Sequence, residues 1–305
     1  MQLSIPRVLV ERYLRISERV ERTRVYRSYH RYGVQRGARL AAAMTYSAFL
    51  SIFPALVLAL AIATVFLGDS GVAKVNNYIA KQLPGLGDEF SLNGVVANAA
   101  TVGVISGVIL LWSALSWVNT ARGSMRMIWG VDDMPGNYWV RKVLDLVSLA
   151  GLAITLAIVF AASSLTTGFA ETVLKWINVE DSTGAKLALQ ALGVVISVIA
   201  QTAMFAYLLS GIPRLYMPRW ILLRTAFVAG LVFEVTKGLL TSYVTRVASK
   251  SLYGAFGVPI AILVWLNLTF QMLLALSAWT ATRTEDELAR RSGAERPLTT
   301  VRISD

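Results

Sequence analysis

The 305-residue chain has no cysteine and a single histidine, His30. The first absence excludes disulfides, thiolate metal ligands and thiol nucleophiles. The second leaves His30 without a companion ligand, so neither a metal nor a cofactor is expected. Charge is scarce as well: 15% of the residues are Asp, Glu, Lys or Arg, where a soluble domain carries about 25%. Clustered carboxylates or histidines, which metal-dependent phosphodiester cleavage requires, are missing. The nearest approach is Asp132-Asp133, whose side chains point to different sides of the chain. No glycine loop suited to cradling phosphate is present, and the chain does not read as an enzyme.

Apolar sequence fills the space left by charge. Hydrophobic residues make up 55% of the chain, and the mean hydropathy is +0.58. Five stretches of 25 or more residues lack any charged side chain: 40–68, 90–121, 146–170, 187–213 and 251–282. A transmembrane helix needs about 20 apolar residues to cross a hydrocarbon core of roughly 30 Å. A sixth stretch, from Ile221 to Val244, qualifies except for Arg224 at its start and Glu234 and Lys237 in its middle. The pattern predicts an all-α, polytopic membrane protein with six crossings, at about 40–67, 94–119, 143–167, 187–211, 221–244 and 256–282. A basic segment, 1–39, precedes this domain and a polar tail, 283–305, follows it.

Lysine and arginine set the orientation. Ten lie in 1–39, four in 120–142, three in 212–224 and five from Arg283 onward; the alternate loops hold six. Both termini are therefore expected in the cytoplasm, which an even number of crossings requires. The net charge of +11 follows from the same bias and does not call for nucleic acid. Leu9, Tyr13, Ile16 and Val20 share one helical face, ringed by Arg12, Arg15, Arg19 and Arg22. Such a helix lies in the cytoplasmic interface and meets anionic headgroups of membrane lipids, either as a topology anchor or as a lipid-sensing element.

Within the crossings the polar residues carry the functional interest. Tyr46, Ser47 and Ser51 precede Pro54, which predicts a kink near Leu50; they line a cavity or make interhelical hydrogen bonds. Val72, Val75, Ile79 and Leu83 predict a short amphipathic helix ending at Pro84-Gly85. Gly103 and Gly107 have the spacing of a helix-packing face, within one bundle or in a homo-oligomer. Trp112 and Trp117 suit an aromatic belt at the inner end of the second crossing. Asp145 falls just inside the membrane beside Arg141 and Lys142, a local ion pair. Gln201 can bond a neighbouring helix for about 1 kcal/mol, and Pro213 and Pro218 bracket a tight turn.

Glu234 and Lys237 stand three residues apart, on one helical face, near the bilayer midplane. One charge there costs about 2.5–3.5 kcal/mol on insertion scales, so the two are expected to face the bundle interior or water as a pair. They mark a substrate route or a structural ion pair. In Tyr253-Gly254-Ala255-Phe256-Gly257-Val258-Pro259, two glycines and a proline disfavour regular helix. That predicts an unwound start, or a tight turn, before Trp265, Asn267 and Gln271. The candidate route comprises Glu234, Lys237, Tyr46, Ser51, Pro54, Gln201, Tyr243, Tyr253, Gly254, Gly257, Trp265, Asn267 and Gln271.

The runs AAAMTYSAFLSIFP, MIWGV followed by Arg141, EVTKGLLTSY and YGAFGVPIAILVWL occur in an order that resembles the BrkB/YihY family of bacterial inner-membrane proteins, formerly mislabelled ribonuclease BN. The resemblance spans roughly residues 30–282. It implies a six-helix bundle in the cytoplasmic membrane and an envelope role, with movement of lipid-like molecules as one expectation and no catalytic residue. Family members commonly end the sixth helix with Gly-Ala-Glu; here the run is Ser277-Ala278-Trp279. The functional expectation is a transporter or translocator of an amphiphilic or anionic envelope molecule, with a membrane scaffold or envelope-complex partner as the alternative.

Overall fold

The computed structural model describes residues 23–55, 57–58, 99–132, 136–176, 183–246 and 254–293. Seven helices occur among them. They are α1 (Arg24–Val34), α2 (37–55, with 57–58 also helical), α3 (Ala99–Trp129), α4 (Tyr138–Trp176), α5 (Thr183–Ser210), α6 (Arg219–Arg246) and α7 (Gly254–Ser292). No strand occurs among the described residues. Four stretches are long and apolar enough to cross a membrane: Thr101–Trp129, Tyr138–Val159, Ala191–Ser210 and Pro259–Ser292. The amphipathic helices expected around Leu9–Val20 and Val72–Leu83 lie outside the described residues.

The helix ends follow local chemistry. Thr23 caps α1, its hydroxyl oxygen accepting from the Tyr26 amide at 3.3 Å. Gly130 (φ 71°) closes α3: the Gly130 amide donates to the Met127 carbonyl and the Val131 amide to that of Arg126. That pair of bonds needs a residue in the left-handed region, where glycine has no Cβ to clash. The α5–α6 turn, 211–218, contains both Pro213 and Pro218, as the sequence predicts.

One expectation is corrected. The Gly254–Pro259 stretch is not unwound; it forms the first turns of α7. Within a bilayer every free backbone group costs several kcal/mol, whereas a proline this close to a helix start removes one hydrogen bond. Helix α7 runs on past Arg283 to Ser292. At 39 residues it is about 58 Å long, nearly twice the hydrocarbon thickness.

The buried core gathers at one end of the bundle. Ala41 and Met44 come from the start of α2, Val118, Met125 and Ile128 from the end of α3, and Leu152 from the first half of α4. The end of α5 and the turn after it add Phe205, Leu209 and Ile212, the start of α6 Ile221 and Ala226, and the latter half of α7 Leu273, Leu274 and Ala278. Starts alternate with ends, so successive helices run antiparallel. The start of α2 and the finish of α7 share this end.

Helices α5 and α6 pack closely at Gly230. A Cβ there would sit 3.1 Å from the Thr202 amide nitrogen and 3.2 Å from the Val198 carbonyl oxygen. At Gly107 a Cβ would meet, among the described residues, Leu58 at 3.9 Å, an ordinary contact. Gly230→Val should lower stability by about 1–3 kcal/mol through overpacking, while Gly238→Ala, with nothing within 4 Å among the described residues, should leave it unchanged. Equal melting temperatures for the two variants in detergent would contradict this.

Helix α1 packs on the end of α7. Arg24 and Arg27 both donate to Asp286, at 3.0 and 2.6 Å, and Arg31 pairs with Glu285. Asp286→Ala should release α1, so that limited trypsin digestion cleaves after Arg27 and Arg31 faster than in the parent chain. Unchanged cleavage would show that apolar contacts alone hold the helix.

Candidate functional site

Glu234 lies fifteen residues beyond Arg219, which places it about 22 Å along α6 from the helix start. Its Oε2 accepts from three donors: Lys237 Nζ at 2.7 Å, Ser197 Oγ at 3.2 Å and Gln201 Nε2. Lys237 Nζ also reaches Ser197 Oγ at 3.2 Å, and Gln201 Nε2 reaches the same oxygen at 3.3 Å. Ser197 and Gln201 are four residues apart on α5, on one face, opposite the face of α6 that carries Glu234 and Lys237. The acid, the cation and the amide named from the sequence are thus one cluster. Ser197 completes it, and its spacing from Gln201 is the signal that sequence reasoning missed.

Gln201 is buried, yet its Oε1 has no hydrogen-bond partner among the described residues. The Lys237 side chain keeps 42% of its surface uncovered by them, against 21% for Glu234. Beside Glu234, Phe233 packs on Phe205 of α5 and on Trp265 of α7, with ring centroids 5.4 and 5.3 Å apart. The Trp265 indole nitrogen is buried without a partner among the described residues.

A second polar group joins α2 to α7. Asn267 Nδ2 donates to Thr45 Oγ1 at 3.3 Å, and Gln271 Nε2 donates to Asn267 Oδ1. Tyr46 and Ser51 join neither cluster among the described residues. Tyr46 is exposed, and Ser47 and Ser51 bond back to carbonyls four residues earlier, at 3.1 and 3.0 Å. Their hydroxyls therefore serve α2 itself. Pro54 lies within the helical run 37–55, and Gly254 and Gly257 open α7. Tyr243 is in α6, its side chain outside the description, and Tyr253 lies outside the described residues.

The most deeply buried charges are elsewhere. Asp145 Oδ1 accepts from Arg122 Nε at 3.0 Å and from Arg214 Nη2, with the Asp145 and Arg122 side chains 1% and 2% exposed. The partners expected from the sequence were the neighbouring Arg141 and Lys142. Those two lie over the Tyr138 ring, at 5.6 and 5.7 Å. Arg122 lies in the last third of the preceding helix and Arg214 follows the next one, so only the folded bundle brings them to Asp145. The residues of the family's terminal motif are accounted for too: Trp129 Nε1 donates to Ser277 Oγ at 3.2 Å, and Arg283 lies over the rings of Trp220 and Trp279. Among the described residues no three His, Asp or Glu side chains gather where a metal ion might be held.

Long apolar helices with ionisable groups turned towards partners on neighbouring helices define the class: a multi-pass, all-helical integral membrane protein. The chain belongs to the family described as Virulence factor BrkB, which it matches over residues 28–298. It is similar to inner membrane protein YhjD of Escherichia coli (strain K12), at 24% identity over 297 residues, 92% of this chain and 88% of the relative. A UPF0761 membrane protein of Neisseria meningitidis serogroup B is 27% identical over 257 residues, 80% of this chain and 59% of the relative. One from Chlorobium luteolum is 28% identical over 241 residues, 77% and 54%. No solved structure matches the chain. With such relatives, the membrane concerned is the bacterial cytoplasmic membrane.

Removing one partner from a buried ion pair costs about 3–5 kcal/mol, because the other charge is left unpaired. Asp145→Ala should therefore strip most of the folded protein from a detergent extract, measured as the monodisperse peak after mild heating. Glu287→Ala, which breaks a pair with the largely exposed Arg291, should change little. Comparable losses would mean that Asp145 carries no special share of the stability.

Proposed function

We propose that the protein is a translocator of an amphiphilic, anionic envelope molecule such as a lipid, with Glu234 and Lys237 bordering its path. The observation that carries this reading is the cluster of Ser197, Gln201, Glu234 and Lys237, far along two otherwise apolar helices. Ionisable groups at such depth are costly and commonly mark the routes of ions or substrates. A cluster that gathers an acid, a cation, an amide and a hydroxyl from two helices offers more than two charges neutralising each other need. A lysine at this depth is suited to an anionic cargo.

The proposed topology has six crossings and both termini in the cytoplasm. The antiparallel order of the helices supports it, as does the concentration of arginine in the segments expected inside. In that frame the Asp145 end of the bundle faces the cytoplasm, and the Glu234 cluster lies nearer the membrane centre.

The test is flux of a fluorescent anionic phospholipid across vesicles containing the purified chain, Glu234→Gln or Lys237→Met. Movement should fall at least about tenfold in both variants, equivalent to about 1.4 kcal/mol or more of barrier, while their melting temperatures stay near the parent's. Undiminished movement in both would remove these residues from the path. Absence of movement in the parent chain, together with a co-purifying envelope protein, would favour the scaffold reading.

A further inference from the structure

A groove of about 440 Å³ opens on the bundle surface where α3 passes the start of α4. These two helices pack less extensively than α4 and α5 do. One end of the groove is apolar, formed by Val108, Leu111 and Trp112, all exposed, with Trp112 at 78%. The other end is polar, formed by Ser116, Asn119 and Lys142. From Val108 to Asn119 the helix advances about 16 Å, a length comparable to much of an acyl chain.

The polar end is rich in donors. Arg122 Nη2 donates to Asn119 Oδ1 at 2.7 Å, which occupies the carbonyl and leaves the amide N–H groups for the groove. Arg122 is itself fixed by Asp145. Lys142 contributes three N–H donors and a positive charge, and Ser116 a hydroxyl. Its charge and donors complement a phosphate, and the apolar end complements a hydrocarbon chain. From this we infer that the groove is a binding site for a phospholipid with an anionic headgroup, its phosphate at Ser116, Asn119 and Lys142 and one acyl chain along Val108, Leu111 and Trp112.

The apolar end lies towards the middle of α3 and the polar end near the buried core, where Asp145 and Arg122 also sit. A lipid in this groove therefore points its head to that same end of the bundle. Basic sites between transmembrane helices are suited to anionic lipid heads. The site shares no residue with the Glu234 cluster and does not depend on translocation. A lipid held here tethers α3 to α4, where their mutual packing is lightest.

Binding is measured on the full-length chain in detergent by native mass spectrometry, with phosphatidylglycerol or phosphatidylcholine added. Phosphatidylglycerol should be retained in preference to phosphatidylcholine. Lys142→Gln should weaken its retention about fivefold, the share expected of one basic residue near a headgroup, and Lys142→Arg should preserve it. Leu111→Trp should reduce retention by filling the apolar end; because Leu111 is exposed, the fold should tolerate it. Equal retention of the two lipids, or no loss in Lys142→Gln, overturns the site. Loss in Lys142→Gln with full retention in Leu111→Trp leaves only headgroup attraction and overturns the groove. A lipid-free dimer that Leu111→Trp dissociates would assign this face to a second copy of the chain and overturn it as well.

Discussion

A carboxylate held between two guanidiniums ties three consecutive parts of the bundle together. Asp145 is on α4, Arg122 in the last third of α3 and Arg214 in the turn after α5. Nearby, Arg126 donates to the carbonyls of Asp132 and Pro213, and Tyr207 donates to that of Ser148. These charges and donors have little water to return to, so their partners hold one another in register. The surrounding core residues, from Val118 to Ile212, fill the space between these polar ties. A hydrophobic driving force between helices is weak in lipid, which makes such ties, with close approaches like that at Gly230, the natural means of fixing neighbours.

A second polar layer surrounds Glu234. There one carboxylate oxygen collects three donors. Gln201 Oε1 there and Asp145 Oδ2 in the first layer are both buried without a hydrogen-bond partner among the described residues. The two layers differ in cover: the Asp145 and Arg122 side chains are 1% and 2% exposed, whereas the Lys237 side chain keeps 42% of its surface uncovered by the described residues. Each layer ties neighbouring helices through charge-assisted hydrogen bonds, which are stronger than neutral ones.

The helices were legible because a bilayer reduces the choice of backbone to one: uninterrupted apolar runs must be helical, and their lengths follow. The same constraint explains the misreading at Gly254–Pro259, where turn residues weighed by their preferences in water form helix. The pairing of Glu234 with Lys237 was readable because the partners share one helical face, and Gln201 could be named as an interhelical donor. Its target could not. The partners of Asp145 were equally hidden, since Arg122 and Arg214 are 23 and 69 residues away, and sequence reasoning turned to the adjacent cations. The helical stretch from Arg283 to Ser292 was missed for a related reason: its charges read as a tail, but they are the partners that α1 requires.

Arg283 shows how a departure from a family pattern can be absorbed without loss of structure. Where relatives commonly place an acid, this chain has Trp279, one helical turn before Arg283. The guanidinium lies 5.7 Å from the Trp279 ring and 4.9 Å from that of Trp220, which also receives Arg224 at 5.3 Å. Indole faces attract cations through their quadrupole and give the more when the contact is desolvated. A carboxylate in their place would add a charge needing its own desolvation, while the indoles add apolar surface suited to a membrane boundary. In this chain Arg283 is thus anchored between α6 and α7 by aromatic contact.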